Sequence, residues 1–285
     1  MTTYDPARRL VLTGLATVFA GGFGPFDEAF APKPELLPDW APLEPAHART
    51  IDHSRWESLL QRRLVIDDAG VARMRYGDFS REDKTALWAY LADLGEISIR
   101  SYGRAEQLAY WINLYNAAVV RTVLDHYPVA SIQDIDTSPG LFANGPWKAP
   151  AARVLGQPLS LDDIEHGVIR PVWQDARIHY ALNCAALGCA NLRAEAYRGA
   201  RLEAQLDDQA RTYVNSPRGV AFLADGGVSV SKIYAWFRAD FGGDGGAVLA
   251  HLRRNAAPAL AARLAAARTI AASHYDWALN DAAAG

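Results

Sequence analysis

The segment EQLAYWINLYNAAVVRTVLDHYP, residues 106–128, is the strongest constraint on how this chain can fold. Between Leu108 and Val120 it is apolar almost all round, so a helix here has no face to give to water and must lie at the centre of a core. Pro128 ends it. The only amides in that run, Asn113 and Asn116, sit three apart on one helix face. Burying them without partners would cost several kcal/mol in total, so they must hydrogen-bond something. Two roles are open to them: an internal bridge to a loop backbone, or a functional one, orienting a catalytic histidine or binding a carbonyl.

Local signals place the remaining segments around that helix. SREDKTALWAYLADLG, residues 80–95, opens with a Ser-x-x-Asp capping pattern and stops at Gly95, which predicts a second helix. Residues 131–150 read as a loop with Trp147 packing back, and 153–157 as a short strand or turn. In LSLDDIEHGVIRP, Ser160 and Asp163 signal a helix start and Pro171 bounds the helix. ARIHYALNC, residues 176–184, has the short apolar and aromatic character of a buried strand. A helix is expected over 201–214, a hairpin over 219–231 with its turn at Gly226-Gly227, a helix from Ser231 through Phe241, another over 246–267, and a last strand in TIAASHYDWALN. Helices early and strands late predict an α+β fold in which a helix-rich N-terminal part packs on a small antiparallel sheet with a late β-hairpin.

Composition narrows the function class. A net charge of −3, from 29 basic and 32 acidic residues interspersed along the chain, leaves no basic stripe for nucleic acid or anionic lipid. Residues 1–46 read as an export signal and a proline-rich linker, and 47–285 as a single α+β domain. Arg8 and Arg9 before the moderately apolar run Leu10–Phe26 resemble a twin-arginine signal, which implies a periplasmic or otherwise exported protein. The alternative is an N-terminal helix of a cytoplasmic protein. That run is too short and glycine-rich for a stable membrane span.

Both cysteines fall in HYALNCAALGCANL, residues 179–192. A cysteine leaving a strand into a turn or helix start would have backbone N–H groups nearby to lower its pKa and hold an oxyanion, which makes Cys184 the candidate nucleophile and Cys189 a packing residue. A disulfide between them is not expected, because five helical positions separate Cα atoms by roughly 8 Å and only a non-helical loop would permit closure. A metal trio of His179, Cys184 and Cys189 lacks an obvious fourth ligand. On a regular strand His179 would face away from Cys184 at about 16 Å, so His166 is the expected base and His274 a substitute. On a regular helix His166 shares a face with Asp162 and Arg170, while Glu165 projects elsewhere to contact substrate, pair with a basic group or hold the cysteine loop. Tyr234, Trp236 and Phe237 read as core, and Lys232 and Asp240 as ordinary end charges.

Five stretches in order, AYWINLYNA, SLDDIEHGVIR, HYALNCAALGCANLRAEAY, VSKIYAWFRADF and YDWALN, resemble the domain of unknown function 547 family over roughly residues 80–280. Ala190 stands where that family usually carries a proline after the second cysteine. The family occurs as a bacterial exported or lipoprotein-like domain and as a plant domain beside coiled coils. The resemblance implies a papain-like or transglutaminase-like arrangement and a peptidase activity. It singles out Asn113, Asn116, Glu165, His166 and Cys184 as catalytic positions. The resulting expectation is a cysteine-dependent amide hydrolase acting through an acyl-enzyme on a peptide or protein, with no cofactor and no metal. A binding module for a peptide or envelope component, in which the same residues form a structural network, is the competing expectation.

Overall fold

A computed structural model of the protein describes residues 19–20, 32–41, 43, 48–139 and 145–284. The twin-arginine segment therefore lies, but for Phe19 and Ala20, outside the described residues. The fold is α+β. Helix α1 (Ser54–Arg63) leads into the antiparallel pair of β1 (Leu64–Ile66) and β2 (Ala72–Met74). Helix α2 (Arg81–Gly95) begins at the expected place. Ser80 accepts a hydrogen bond from the Asp83 amide and the Asp83 carboxylate accepts one from the Ser80 amide, closing a capping box.

Helix α3 (Arg104–His126) is the central buried element that its sequence requires. Around it lie α1, α2, the hairpin of β3 (Pro150–Val154) with β4 (Gln157–Ser160), and the segment that follows, forming one hydrophobic cluster. That following segment is a π-helix, Asp163–Ile169, running directly into a short helix α4 (Arg170–Trp173). A second cluster gathers on a late sheet. It takes in α5 (Leu202–Val214), β5 (Val220–Phe222), β6 (Val228–Ser231), the short helix α6 (Ile233–Trp236), α7 (Gly245–Asn255), α8 (Pro258–Ala265) and β7 (Ile270–His274). β5 and β6 form the expected antiparallel hairpin, whereas β6 and β7 run parallel.

Four segments differ from expectation. ARIHYALNC is not a strand: Ala176–Tyr180 is a 3-10 turn started by Asp175, whose carboxylate accepts from the Arg177 amide. Its apolar residues point into both clusters, and that two-sided burial gives the sequence its strand-like appearance. The helix expected over 231–241 is cut after Trp236 and followed by a 3-10 turn, Arg238–Phe241. The helix expected over 246–267 breaks in two, because Pro258 has no N–H to continue the first half and is favoured in the first turn of the second. Residues 32–41 are not a free linker either. The Glu35 and Leu37 amides donate to the carbonyls of His166 and Gly167 at 2.9 Å, and Trp40 packs edge-on against Trp111.

The two asparagines of α3 explain how the loops are held against that helix. Asn113 donates from Nδ2 to the Tyr197 carbonyl at 2.8 Å and accepts from the Tyr197 amide at 3.0 Å. In the same way Asn116 bonds the Ala181 carbonyl at 2.9 Å and the Asn183 amide at 2.8 Å. Each amide is satisfied as both donor and acceptor by loop backbone, so these side chains position the loops and do not face an imidazole. Truncating Asn116 orphans a buried donor and a buried acceptor, each at about 1–3 kcal/mol. Asn116→Ala should therefore lower the free energy of unfolding in urea by about 2–4 kcal/mol, and Asn116→Leu, which restores volume alone, should not recover it.

Candidate active site

A cavity of about 540 Å³ opens between the two clusters. Glu165 and His166 from the π-helix, His179 from the 3-10 turn, Cys184 and Cys189 from the loop after it, and Tyr275 just past β7 all line it. The structure thus brings together three of the expected site residues, Cys184, His166 and Glu165, and keeps Asn113 and Asn116 behind the wall.

The π-helix puts Glu165 and His166 on the same cavity. Although successive helical residues project in different directions, His166 Nδ1 lies 3.9 Å from Glu165 Oε1. His166 also meets Arg170 and Asp162, as the i, i+4 spacing predicts: Arg170 Nη1 lies 3.2 Å from His166 Nδ1, and Asp162 Oδ1 lies 3.7 Å from Nε2. A guanidinium can only donate, so Nδ1 must accept and the imidazole is neutral with its proton on Nε2. Burial, with Arg170 adding to it, holds the pKa of His166 down to about 3. No lone pair is left to take a proton from a thiol. The base role expected of His166 does not fit this geometry.

His179 has the complementary arrangement of partners, although burial lowers its pKa too, against the opposing pull of Asp240. Its Nε2 lies 2.7 Å from Asp240 Oδ2, and Asp240 is itself gripped by Arg170 through Nε at 2.7 Å and Nη2 at 3.1 Å. These donors overcome burial and hold the Asp240 carboxyl well below the usual range, so it stays an acceptor and Nε2 carries the proton. The Nδ1 lone pair is then free, with Glu165 Oε1 the acidic neighbour at 3.7 Å. The ring is clamped flat against Phe237, at 4.1 Å and 9°. The expectation that His179 faces away from Cys184 fails because it assumed a strand, and in a 3-10 turn both residues reach one cavity. His274, the substitute base, is tied elsewhere by Ser229 and the carbonyls of Pro217 and Arg218.

Contrary to expectation, Cys184 and Cys189 are joined in a disulfide, with Cα atoms 6.3 Å apart. The loop between them is non-helical, which is the condition for closure. The Asn183 side chain accepts from the Ala185 amide at 2.9 Å and donates to the Ala190 carbonyl at 2.7 Å, and the Asn280 amide donates to the Ala185 carbonyl at 2.9 Å. These bonds hold Ala185 at φ 59°, a left-handed conformation that costs a non-glycine residue about 1–2 kcal/mol. No helix starts after Cys184, and its amide donates to Cys189 Sγ at 3.0 Å, so the expected amide oxyanion donor at Cys184 is occupied. The Tyr275 hydroxyl lies 3.0 Å from Cys184 Sγ and 3.1 Å from Cys189 Sγ, and burial keeps it protonated well beyond its usual pKa. Gly188 makes that approach possible, because a Cβ there would come within 2.9 Å of the Tyr275 ring. With the sulfurs bonded to each other, the trio of His179, Cys184 and Cys189 has no thiolate for a metal, and no cluster of three or more His, Cys, Asp or Glu suited to a metal occurs among the described residues.

Burial also raises the Glu165 carboxyl to about 7, against the opposing pull of Arg170. It can therefore give or take a proton near neutrality. Asp240, Tyr275 and Arg170 are the residues that sequence reasoning missed. Asp240 and Tyr275 are 61 and 91 positions away from the partners they meet, and no local spacing encodes that meeting.

Residues 99–214 match the family described as protein of unknown function, DUF547. The DUF547 match is narrower than the five motifs suggest. It takes in α3, the π-helix and the cysteine loop, and ends with α5, before Asp240 and Tyr275. No curated protein and no solved structure matches the chain.

A raised carboxyl pKa has a sign. Between the unfolded value near 4.5 and the folded value of about 7 the native state binds more protons, so the contribution of Glu165 to stability is present at low pH and is lost as pH rises through 7. Relative to the natural chain, Glu165→Gln should thus gain about 2 kcal/mol of unfolding free energy between pH 5 and pH 8. Urea titrations at the two pH values measure it, and a flat difference would contradict the assigned protonation.

Proposed function

We propose that the protein is a cysteine-dependent amide hydrolase acting on peptides or proteins, with its nucleophile stored in the Cys184–Cys189 disulfide. The observation that carries this reading is the opening of Cys184, Glu165 and an Asp240-held His179 onto one cavity. A dithiol reductant would first break the S–S bond, becoming a disulfide itself and leaving two cysteine thiols. The Nδ1 lone pair of His179 then takes the Cys184 proton, while Asp240 holds the imidazolium through Nε2. The thiolate adds to the amide carbon, and the Tyr275 hydroxyl donates to the oxygen that gains charge. As the C–N bond breaks, the proton returns to the departing amine. Water activated by His179 then cleaves the thioester and restores the thiol. Glu165, 3.7 Å from His179 Nδ1 and poised near neutrality, offers a second carrier for the proton.

The same reading places the chain in an exported, oxidising compartment, where a disulfide persists until a reductant reaches it. No helix among the described residues is long and apolar enough to cross a membrane.

Reduction should switch the activity on. With a fluorogenic peptide library, turnover is expected after dithiothreitol and not before, and Cys189→Ala should be active without reductant. Cys184→Ser should abolish turnover, and His179→Ala or Asp240→Asn should lower kcat/KM by about 10²–10⁴-fold. In the reduced chain iodoacetamide should label Cys184 ahead of Cys189. Equal, slow labelling of both cysteines together with an inert Cys189→Ala would defeat the proposal.

A further inference from the structure

One side of the cavity is aromatic, and its rings are set at angles to one another. Trp277 meets Tyr275 at 4.7 Å and 58°, Trp236 at 5.6 Å and 36°, and Trp147 at 6.3 Å and 53°, while Trp236 meets Tyr275 at 4.9 Å and 63°. In an edge-to-face contact one ring's face is used and its partner's is left, and all four rings line the cavity, whereas Phe237 stacks on His179 and lies under the Arg170 guanidinium at 4.9 Å. Trp147 reaches this wall because Gly145, at φ 82°, has no Cβ to collide with the indole, which would lie 2.6 Å away.

The same cavity carries Asp162 and Glu165. The buried guanidinium of Arg170 is hydrogen-bonded to Asp240 and acts on Glu165 only through space, against the effect of burial. Asp162 has the neutral His166 at 3.7 Å and feels Lys148 only at longer range. Aromatic faces carry the negative part of the ring quadrupole, so four such rings beside a carboxylate make a field that draws in a cation and repels an anion.

We infer that this wall is a specificity subsite that selects substrates presenting a basic side chain, lysine or arginine, with the cation held between the Trp147, Trp236, Trp277 and Tyr275 rings and the Asp162 carboxylate. The inference rests on reading the cavity as the substrate cleft of the proposed hydrolase. It adds to that reading the chemical class of side chain that the cleft accepts. A neutral chain of the same length would gain only apolar contact, and an acidic one would meet like charge.

Binding tests this apart from turnover. The full chain, with its disulfide intact, is titrated at pH 7.5 with N-acetyl-lysine amide, N-acetyl-norleucine amide and N-acetyl-glutamate amide, read by tryptophan fluorescence and calorimetry. The lysine derivative should bind at least about tenfold tighter than the norleucine derivative, and the glutamate derivative weakest. Asp162→Asn should cut that preference to about threefold or less without changing norleucine affinity, and Trp277→Ala should weaken both. Equal or tighter binding of norleucine overturns the inference, as does unchanged lysine affinity in Asp162→Asn. Should that variant fail to fold, the lysine-to-norleucine ratio of the natural chain decides alone. A chain that prefers lysine but cleaves nothing after reduction refutes the hydrolase and keeps the subsite; a hydrolase indifferent to the basic side chain does the reverse.

Discussion

The buried pair of Arg170 and Asp240 is the interaction on which the rest of the site depends. Arg170 leaves the end of the π-helix in the first hydrophobic cluster, Asp240 sits in the 3-10 turn of the second, and their bidentate bond spans the two. The remaining guanidinium donor, Nη1, reaches the His166 ring and the Pro32 carbonyl, and the plane lies over Phe237. Burying a cation and an anion is expensive, and their attraction offsets that cost only when nearly every donor and acceptor is used. Here they are used, so the pair fixes where the clusters sit and therefore the width of the cavity between them.

That geometry divides the titratable groups into distinct tasks. Arg170 forces His166 Nδ1 to accept and so keeps that imidazole neutral, while Asp240 accepts the hydrogen bond from His179 Nε2–H and leaves its other nitrogen open. Two histidines within one cavity thus end with opposite hydrogen-bond roles, set by one arginine through two different contacts. Glu165 lies between them, 3.9 Å from one ring and 3.7 Å from the other, and burial keeps its proton available near neutrality. The arrangement suits proton transfer because burial, which disfavours the carboxylate, is partly offset by the Arg170 charge.

Much of this was legible in the sequence where the physics is local. The all-round apolar character of residues 108–120 required a central helix, the Ser80 and Ser160 caps fixed two starts, and Gly226-Gly227 marked the hairpin. The two amides of α3 had to find partners, and they found backbone. Legibility failed where a segment is buried on both sides without being extended, as in Ala176–Tyr180, and where one wide helical turn shifts every later side chain, as in Asp163–Ile169. It failed also where a charge finds its meaning across the fold: Asp240 looks like a surface carboxylate until His179 and Arg170 arrive.

The cysteine loop joins both kinds of information. Asn116 holds the backbone on either side of Leu182, Asn183 ties the loop's beginning to Ala190, and Asn280 bonds Ala185, so the chain cannot coil into a helix after Cys184. A helix would have separated the cysteines by roughly 8 Å; the pinned loop brings their Cα atoms to 6.3 Å. The same pinning sets Cys184 at the cavity wall under the Tyr275 hydroxyl. Sulfur pairing and the placing of the cysteines on the cavity are then two consequences of a single set of amide bonds. It follows that Asn116 of α3, although it touches no reacting atom, helps decide whether Cys184 can meet a substrate at all.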